Sequence, residues 1–174
     1  MKPSRVEEDL VNGETPDEHV RRLALAKAME VAQGNPGVWV LGADTIVVID
    51  GNILGKPQNE GEAHTMLATL AARTHEVFTA YALVRTGCQG THKVRSLRSE
   101  VHIRDLTAEE IRAYVGTGEP MDKAGAYAIQ GIGSSIVERI SGSYTNVVGL
   151  PLCEVMQDLK DLGIFDFLAG NRRA

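Results

Sequence analysis

Val38-Trp39-Val40-Leu41-Gly42-Ala43-Asp44-Thr45-Ile46-Val47-Val48-Ile49, closed by Asp50-Gly51-Asn52, decides how this chain is read. A long apolar run rich in β-branched residues and ended by Asp-Gly is a buried strand entering a hairpin. Asp44 stands in its middle. Burying an unpaired ionised carboxylate costs several kcal/mol, to order of magnitude, so a metal or a lysine is expected to meet it there. The hairpin leads to Gly55-Lys56-Pro57. The pattern is a strand that stops at a site, a turn, then a lysine.

Before this run, Thr15-Pro16-Asp17-Glu18 is a helix start: Thr15 caps, Pro16 takes the first helical position and Glu18 completes a capping box. Val20, Leu23, Ala24, Ala28 and Val31 give that helix an apolar face up to about Gln33, where Gly34-Asn35-Pro36-Gly37 breaks it. After the run, Asn59-x-x-Glu62 opens a helix to about Leu70, and His75 to Arg85 reads as a strand. Gly87 to Gly90 turns the chain into a partner strand, Thr91 to Arg104. Thr107 caps a helix to about Val115. Residues 116–131 are loop-rich, Ile136 to Ile140 is a strand, and Leu150 to Leu162 is a final helix. The expectation is an α/β chain with helices flanking a sheet.

At 174 residues and 43% hydrophobic content, one domain spanning 1–174 with a real core is expected. A net charge of −5 argues against stable nucleic-acid binding. The two cysteines, Cys88 and Cys153, form no C-x-x-C, so neither a zinc nor a redox motif is visible. No stretch approaches the ~18 apolar residues of a membrane span, and the first residues lack the apolar core of a signal peptide. A reducing, cytoplasmic setting fits.

Several familiar patterns fail. Gly51-x-x-x-Gly55-Lys56-Pro57 is one residue short of a P-loop, with Pro57 in place of the magnesium-binding hydroxyl. Gly131-Ile132-Gly133 lacks the third glycine of a dinucleotide fingerprint. Asp50-Gly51-Asn52 has Gly61 where a calcium loop needs glutamate. The five histidines show no H-E-x-x-H spacing, and there is no G-x-S-x-G elbow. A haloacid-dehalogenase-type site would need a second aspartate at 46, where Ile46 sits. What remains is three lysines near acids: Lys27 late in the first helix, Lys56 after the hairpin, and Lys123 beside Asp122. With Asp44 and Glu8 these could form an anion-plus-metal site, because a hard cation takes one or two carboxylates plus substrate phosphates and lysines neutralise the rest. Each lysine alone would more simply be solvated. Gln130, in Ala126-Tyr127-Ala128-Ile129-Gln130-Gly131, both donates and accepts, which suits reading the edge of a base; an ordinary turn-flanked strand explains the segment equally well.

The order of these segments resembles the Maf family of nucleoside triphosphate pyrophosphatases. The matching motifs include Val6-Glu7-Glu8 before Gly13-Glu14-Thr15-Pro16, Arg22-Leu23-Ala24 with Lys27-Ala28, Leu41-Gly42-Ala43-Asp44-Thr45, and Ile53-Leu54-Gly55-Lys56-Pro57. They continue with Arg73-Thr74-His75-Glu76-Val77, then Glu119 to Tyr127 with Ile129-Gln130-Gly131, and Gly142-Ser143-Tyr144 with Asn146 to Pro151. The resemblance implies a Maf/ITPase-like fold: a mixed, bent central sheet flanked by helices, in two lobes with a nucleotide cleft. It implies hydrolysis of a nucleoside triphosphate to the monophosphate and pyrophosphate with a divalent metal, magnesium or manganese. The family's catalytic acid falls on Asp44, either as base or as metal ligand with Glu8. Substrate-binding positions fall on Glu8, Lys27, Thr45, Lys56, Asp122, Lys123 and Gln130, and Thr45 with Gln130 match the branch that prefers dTTP and UTP. Asp44 is expected to meet the metal, Lys56, Lys123 and Glu8. A homodimer is compatible with this.

One departure stands out. Family members begin with a strand and a Ser-x-Ser-x-Arg-Arg loop ahead of the Glu7-Glu8 segment. Met1 comes only a few residues before that segment, and Arg5 does not replace the loop on motif grounds. Two expectations follow: a longer natural protein, or an N-terminally truncated member that is weak or inactive and serves as a nucleotide-binding regulator linked to cell division.

Overall fold

The computed structural model describes residues 6–87 and 91–165; Arg5 and Cys88 lie outside the described residues. Helix α1 (Pro16–Gln33) starts as anticipated, with the reciprocal Thr15–Glu18 capping box. Strand β1 (Trp39–Ile49) turns at Asp50-Gly51 into the short β2 (Asn52–Leu54). Asn59 caps α2 (Glu60–Leu70) by accepting from the Glu62 N–H. The long hairpin β3 (Thr74–Arg85) and β4 (Thr91–Ile103) follows, then α3 (Ala108–Val115) with its own Thr107–Glu110 box. Residues 119–135 form three short 3-10 turns before β5 (Val137–Ser141). The chain continues through α4 (Tyr144–Val148) and α5 (Leu152–Asp161).

The strands order as β2-β1-β3-β4-β5. The helix-and-strand mix is as expected; within the sheet every ladder among the described residues is antiparallel. Alternation along β1 divides the core. Ile46 and Val48 pack with Ala80, Ala82 and Val84 against Val20, Ala24 and Ala28 of α1. Val47 and Ile49 point to the other face, with Val77, and pack under α2 and α3. Tyr81 and Leu83, farther along β3 on that second face, pack instead with Trp39 and with Val155 of α5.

Two of these contacts require particular residues. At Gly42, α1 crosses β1 so closely that a Cβ would come within 2.7 Å of the Ala24 carbonyl oxygen and the Ala28 N. The obstacle is backbone, which cannot swing aside. Gly42→Ala is therefore expected to lower stability by about 1–3 kcal/mol, read as a drop in the urea midpoint at constant slope, with the Lys27–Asp44 contact loosened in the same variant. At the other end of the sheet, Asp158 on α5 is wholly buried and takes the Tyr81 hydroxyl at 2.6 Å and Arg95 at 3.0 Å. Lys93 reaches it at 2.7 Å.

Candidate active site

The close crossing at Gly42 sets Lys27 over Asp44. Lys27 Nζ donates to Asp44 Oδ1 at 2.6 Å and to Glu8 Oε1 at 2.5 Å. The expected partner of Asp44 is thus present, but it is Lys27 rather than Lys56 or Lys123, because Lys27 lies on the α1 face to which Asp44 points. Glu8 arrives from the segment before α1. That segment is pinned by Glu14, which accepts from Arg22 Nε at 2.7 Å and lies 3.0 Å from His19 Nδ1; Arg22 also donates to the Asp9 carbonyl. The Arg22 guanidinium holds the Glu14 carboxyl down at about 2.

The electrostatics around Asp44 are opposed. Burial pushes its carboxyl above the ordinary carboxylate value, and the Lys27 hydrogen bond only partly offsets this. Burial lowers the Lys27 ammonium, but its bonds to Asp44 and Glu8 outweigh that and leave it raised. The Lys27 bond pulls Glu8 down. Asp44 Oδ2 is buried without a hydrogen-bond partner among the described residues. A raised carboxylate with a spare lone-pair face can take a proton or meet a cation.

Lys56, Asp122 and Lys123 come together through backbone. The Gly125 N–H donates to the Gly55 carbonyl at 3.0 Å, and Gly125, at φ +68, lies against Val47, where a Cβ would be 3.0 Å away. This fastens the 122–125 turn to the Gly55-Lys56 loop. Lys123 pairs with Asp122, and the two lysines, Lys123 above all, lower the Asp122 carboxyl. Gln130 is exposed at the mouth, before a 3-10 turn rather than in a strand. Its loop is held by Glu119, which accepts the N–H groups of Ile132 at 2.9 Å and Gly133 at 2.8 Å and the Tyr114 hydroxyl at 2.9 Å. Tyr114 in turn accepts the Ala128 N–H. Glu119 was not singled out in the sequence, although it opens the Glu119-Pro120-Met121-Asp122 motif; an acid that binds backbone leaves no pattern of its own.

Thr45 faces away from α1, beside Thr79 and α4. Behind the same wall, His75 Nε2 and the Tyr127 hydroxyl are 2.7 Å apart, both side chains buried. Burial, with His102 adding repulsion, lowers the His75 imidazolium from 6.5 to about 4. The unfolded chain therefore binds a proton below about 6.5 that the native fold refuses. Stability from this residue is present above that pH and falls as pH drops towards 4, by about 3 kcal/mol. His75→Gln is expected to flatten the unfolding free energy between pH 6.5 and 4.5, measured by urea titration.

Glu8, Lys27, Asp44, Thr45, Lys56, Asp122, Lys123 and Gln130 all line one open cleft of about 550 Å³, with Tyr127 and Glu119. That volume suits a ligand of nucleotide size. Three lysines and four carboxylates, Glu8, Asp44, Glu119 and Asp122, line the cleft, a set that suits a polyanion bound together with a cation. No group of three or more His, Cys, Asp or Glu side chains gathers to hold a metal among the described residues. The family model described as Maf-like protein matches residues 1–162. This chain belongs to the Maf family. Among its relatives is a dTTP/UTP pyrophosphatase of Syntrophus aciditrophicus (strain SB), 48% identical over 165 residues, which are 95% of this chain and 80% of the relative. Another, of the same name, comes from Geobacter metallireducens (strain ATCC 53774 / DSM 7210 / GS-15), 50% identical over 160 residues, covering 92% of this chain and 83% of the relative. A third, again called dTTP/UTP pyrophosphatase, is from Moorella thermoacetica (strain ATCC 39073 / JCM 9320), 48% identical over 164 residues, 94% and 84% of the two chains. In this Maf chain no helix among the described residues is long and apolar enough to cross a membrane, and Cys153 is an exposed free thiol.

Proposed function

We propose that this chain hydrolyses dTTP and UTP to the nucleoside monophosphate and pyrophosphate. The observation that carries the reading is Asp44: one oxygen on Lys27, the other buried and unpartnered, at the wall of a cleft bearing Lys56 and Lys123. Water attacks the α-phosphorus as Asp44 takes its proton. The new oxygen–phosphorus bond forms while the bond to the bridging oxygen breaks, and pyrophosphate leaves with that electron pair. Lys56 and Lys123 steady the charge on the phosphates. Lys27 holds Asp44 in place and keeps part of its charge neutralised.

The donor set fits a hard divalent cation, magnesium or manganese. In the alternative role of Asp44, as ligand rather than base, its Oδ2 and Glu8, which lies on the same lysine, would hold the ion with phosphate oxygens. Bound there, such an ion supplies further neutralisation of the triphosphate. The test is chromatography of products from a panel of triphosphates with magnesium or manganese. Monophosphate and pyrophosphate, fastest from dTTP and UTP, are expected. Orthophosphate as first product would overturn the reading, and calorimetric binding of dTTP without turnover would replace it by a nucleotide-binding regulator.

A further inference from the structure

Each carboxylate that lines the cleft is already engaged by a group of this chain. Asp122 takes Lys123. Glu119 accepts the Ile132 and Gly133 N–H groups and the Tyr114 hydroxyl. Glu8 and Asp44 share one ammonium, Lys27, at 2.5 and 2.6 Å. Asp44 Oδ2 is the exception: it has no hydrogen-bond partner among the described residues, on a side chain only 7% exposed.

Glu8 and Asp44 come from different parts of the chain and meet through Lys27. The two ends of this clasp differ. The Lys27–Asp44 end is mostly buried, whereas the Glu8 side chain is 50% exposed, so the clasp opens at Glu8. While it is closed, one of the two negative charges is cancelled. A divalent ion drawn to the same pair meets an ammonium already between them, and at such range in a part-buried site like charges repel strongly. One free oxygen of Asp44 is a poor site by itself, because magnesium and manganese are held by one or two carboxylates together with substrate phosphates. No group of three or more His, Cys, Asp or Glu side chains makes up the difference among the described residues. A polyphosphate supplies both the missing oxygens and the missing negative charge, and it offers Lys27 another anion in place of Glu8.

We propose that Lys27 is a resident counter-cation that keeps the free protein from holding a divalent ion, so that the ion enters together with the polyphosphate. This rests on the pyrophosphatase reading for the identity of the polyanion and adds to it an order of binding: the ion comes as its complex with the triphosphate, not ahead of it.

The test is manganese binding to the protein without nucleotide, read from the electron-spin-resonance signal of the free ion at about pH 8, well above the carboxylate range. Wild type, Lys27→Met and the double variant Lys27→Met with Glu8→Gln are compared, with thermal unfolding as a check on folding. Affinity is expected to rise about tenfold or more from wild type to Lys27→Met and to fall back in the double variant. Equal affinities in wild type and folded Lys27→Met overturn the proposal, as does a rise that persists in the double variant. If Lys27→Met does not fold, wild type decides. Calorimetry with a dTTP analogue carrying an imido bridge between the α- and β-phosphorus gives the manganese concentration that half-saturates its effect on analogue binding. No uptake of manganese by the free protein at that concentration supports the proposal. Uptake of one ion per chain there overturns it, and so does analogue binding indifferent to manganese. If wild type hydrolyses no triphosphate, the hydrolytic reading falls by itself, and the comparison of manganese affinities between wild type and Lys27→Met still decides whether Lys27 excludes the ion.

Discussion

Asp44→Asn is expected to lower kcat for pyrophosphate release from dTTP by about 10²–10⁴-fold, the range for loss of a positioned general base. Asparagine preserves the volume and still accepts from Lys27, while Lys27 keeps Glu8 at 2.5 Å. The thermal midpoint should therefore move little, and the loss cannot be put down to unfolding. The pH profile separates roles further. In the proposed mechanism activity needs the Asp44 carboxylate, and burial raises its carboxyl above the ordinary 3.8. The rate should thus fall on an acid limb lying above that value. Lys27→Met removes the bond that lowers Asp44, and the limb should shift to higher pH. A metal ligand would betray itself differently, by a higher half-saturating magnesium concentration in Asp44→Asn. Wild-type kcat in that variant would remove Asp44 from the chemistry.

Asp158→Asn is the substitution with the largest expected cost to stability, about 3 kcal/mol, or roughly 6–12 °C in Tm for a chain of this size. The carboxylate accepts from Tyr81, Lys93 and Arg95 at once. The amide has one oxygen to offer and turns its NH2 towards donors. The Tyr81 hydroxyl, whose ring is wholly buried, is the group left poorest, since Lys93 and Arg95 can reach solvent. Tyr81→Phe, which leaves both cations on Asp158, should cost only about 1–2 kcal/mol. Burial raises the Asp158 carboxyl, but Lys93, Tyr81 and Arg95 together hold it below the usual range. This stabilisation is therefore complete at neutral pH and is lost in acid. Residual activity at low temperature should survive, because Asp158 anchors α5 and does not line the cleft. Equal urea midpoints for Asp158→Asn and wild type would refute this account of how α5 is held.

Local chemistry made most elements readable. The Thr15 and Thr107 boxes and the Asn59 cap lie where the side chains alone place them, since a cap is a contact within a few residues of sequence. Helix α4 was not legible. It has five residues, too few to show a period, and it persists because Asn146 is bonded to Val77 and Ser99 far away in sequence. The 3-10 turns around Gln130 were equally hidden, as their order depends on Glu119 reaching backbone more than ten residues ahead.

By itself the sequence determined that Asp44 sits in a buried strand and needs a cation, because an apolar run and a charge carry their energetic conflict wherever they fold. It could not say which cation. That depended on Gly42 letting α1 approach, which brought Lys27 to Asp44. Nor could it say how adjacent residues serve one site. Asp44 and Thr45 point to opposite faces of the sheet, as neighbours in a strand must. Both reach the same cleft because β2 pairs with β1 only from Val47 onward, and among the described residues no strand covers that edge of β1 beside them. The cleft wraps around the open edge, and only tertiary pairing decides where an edge lies.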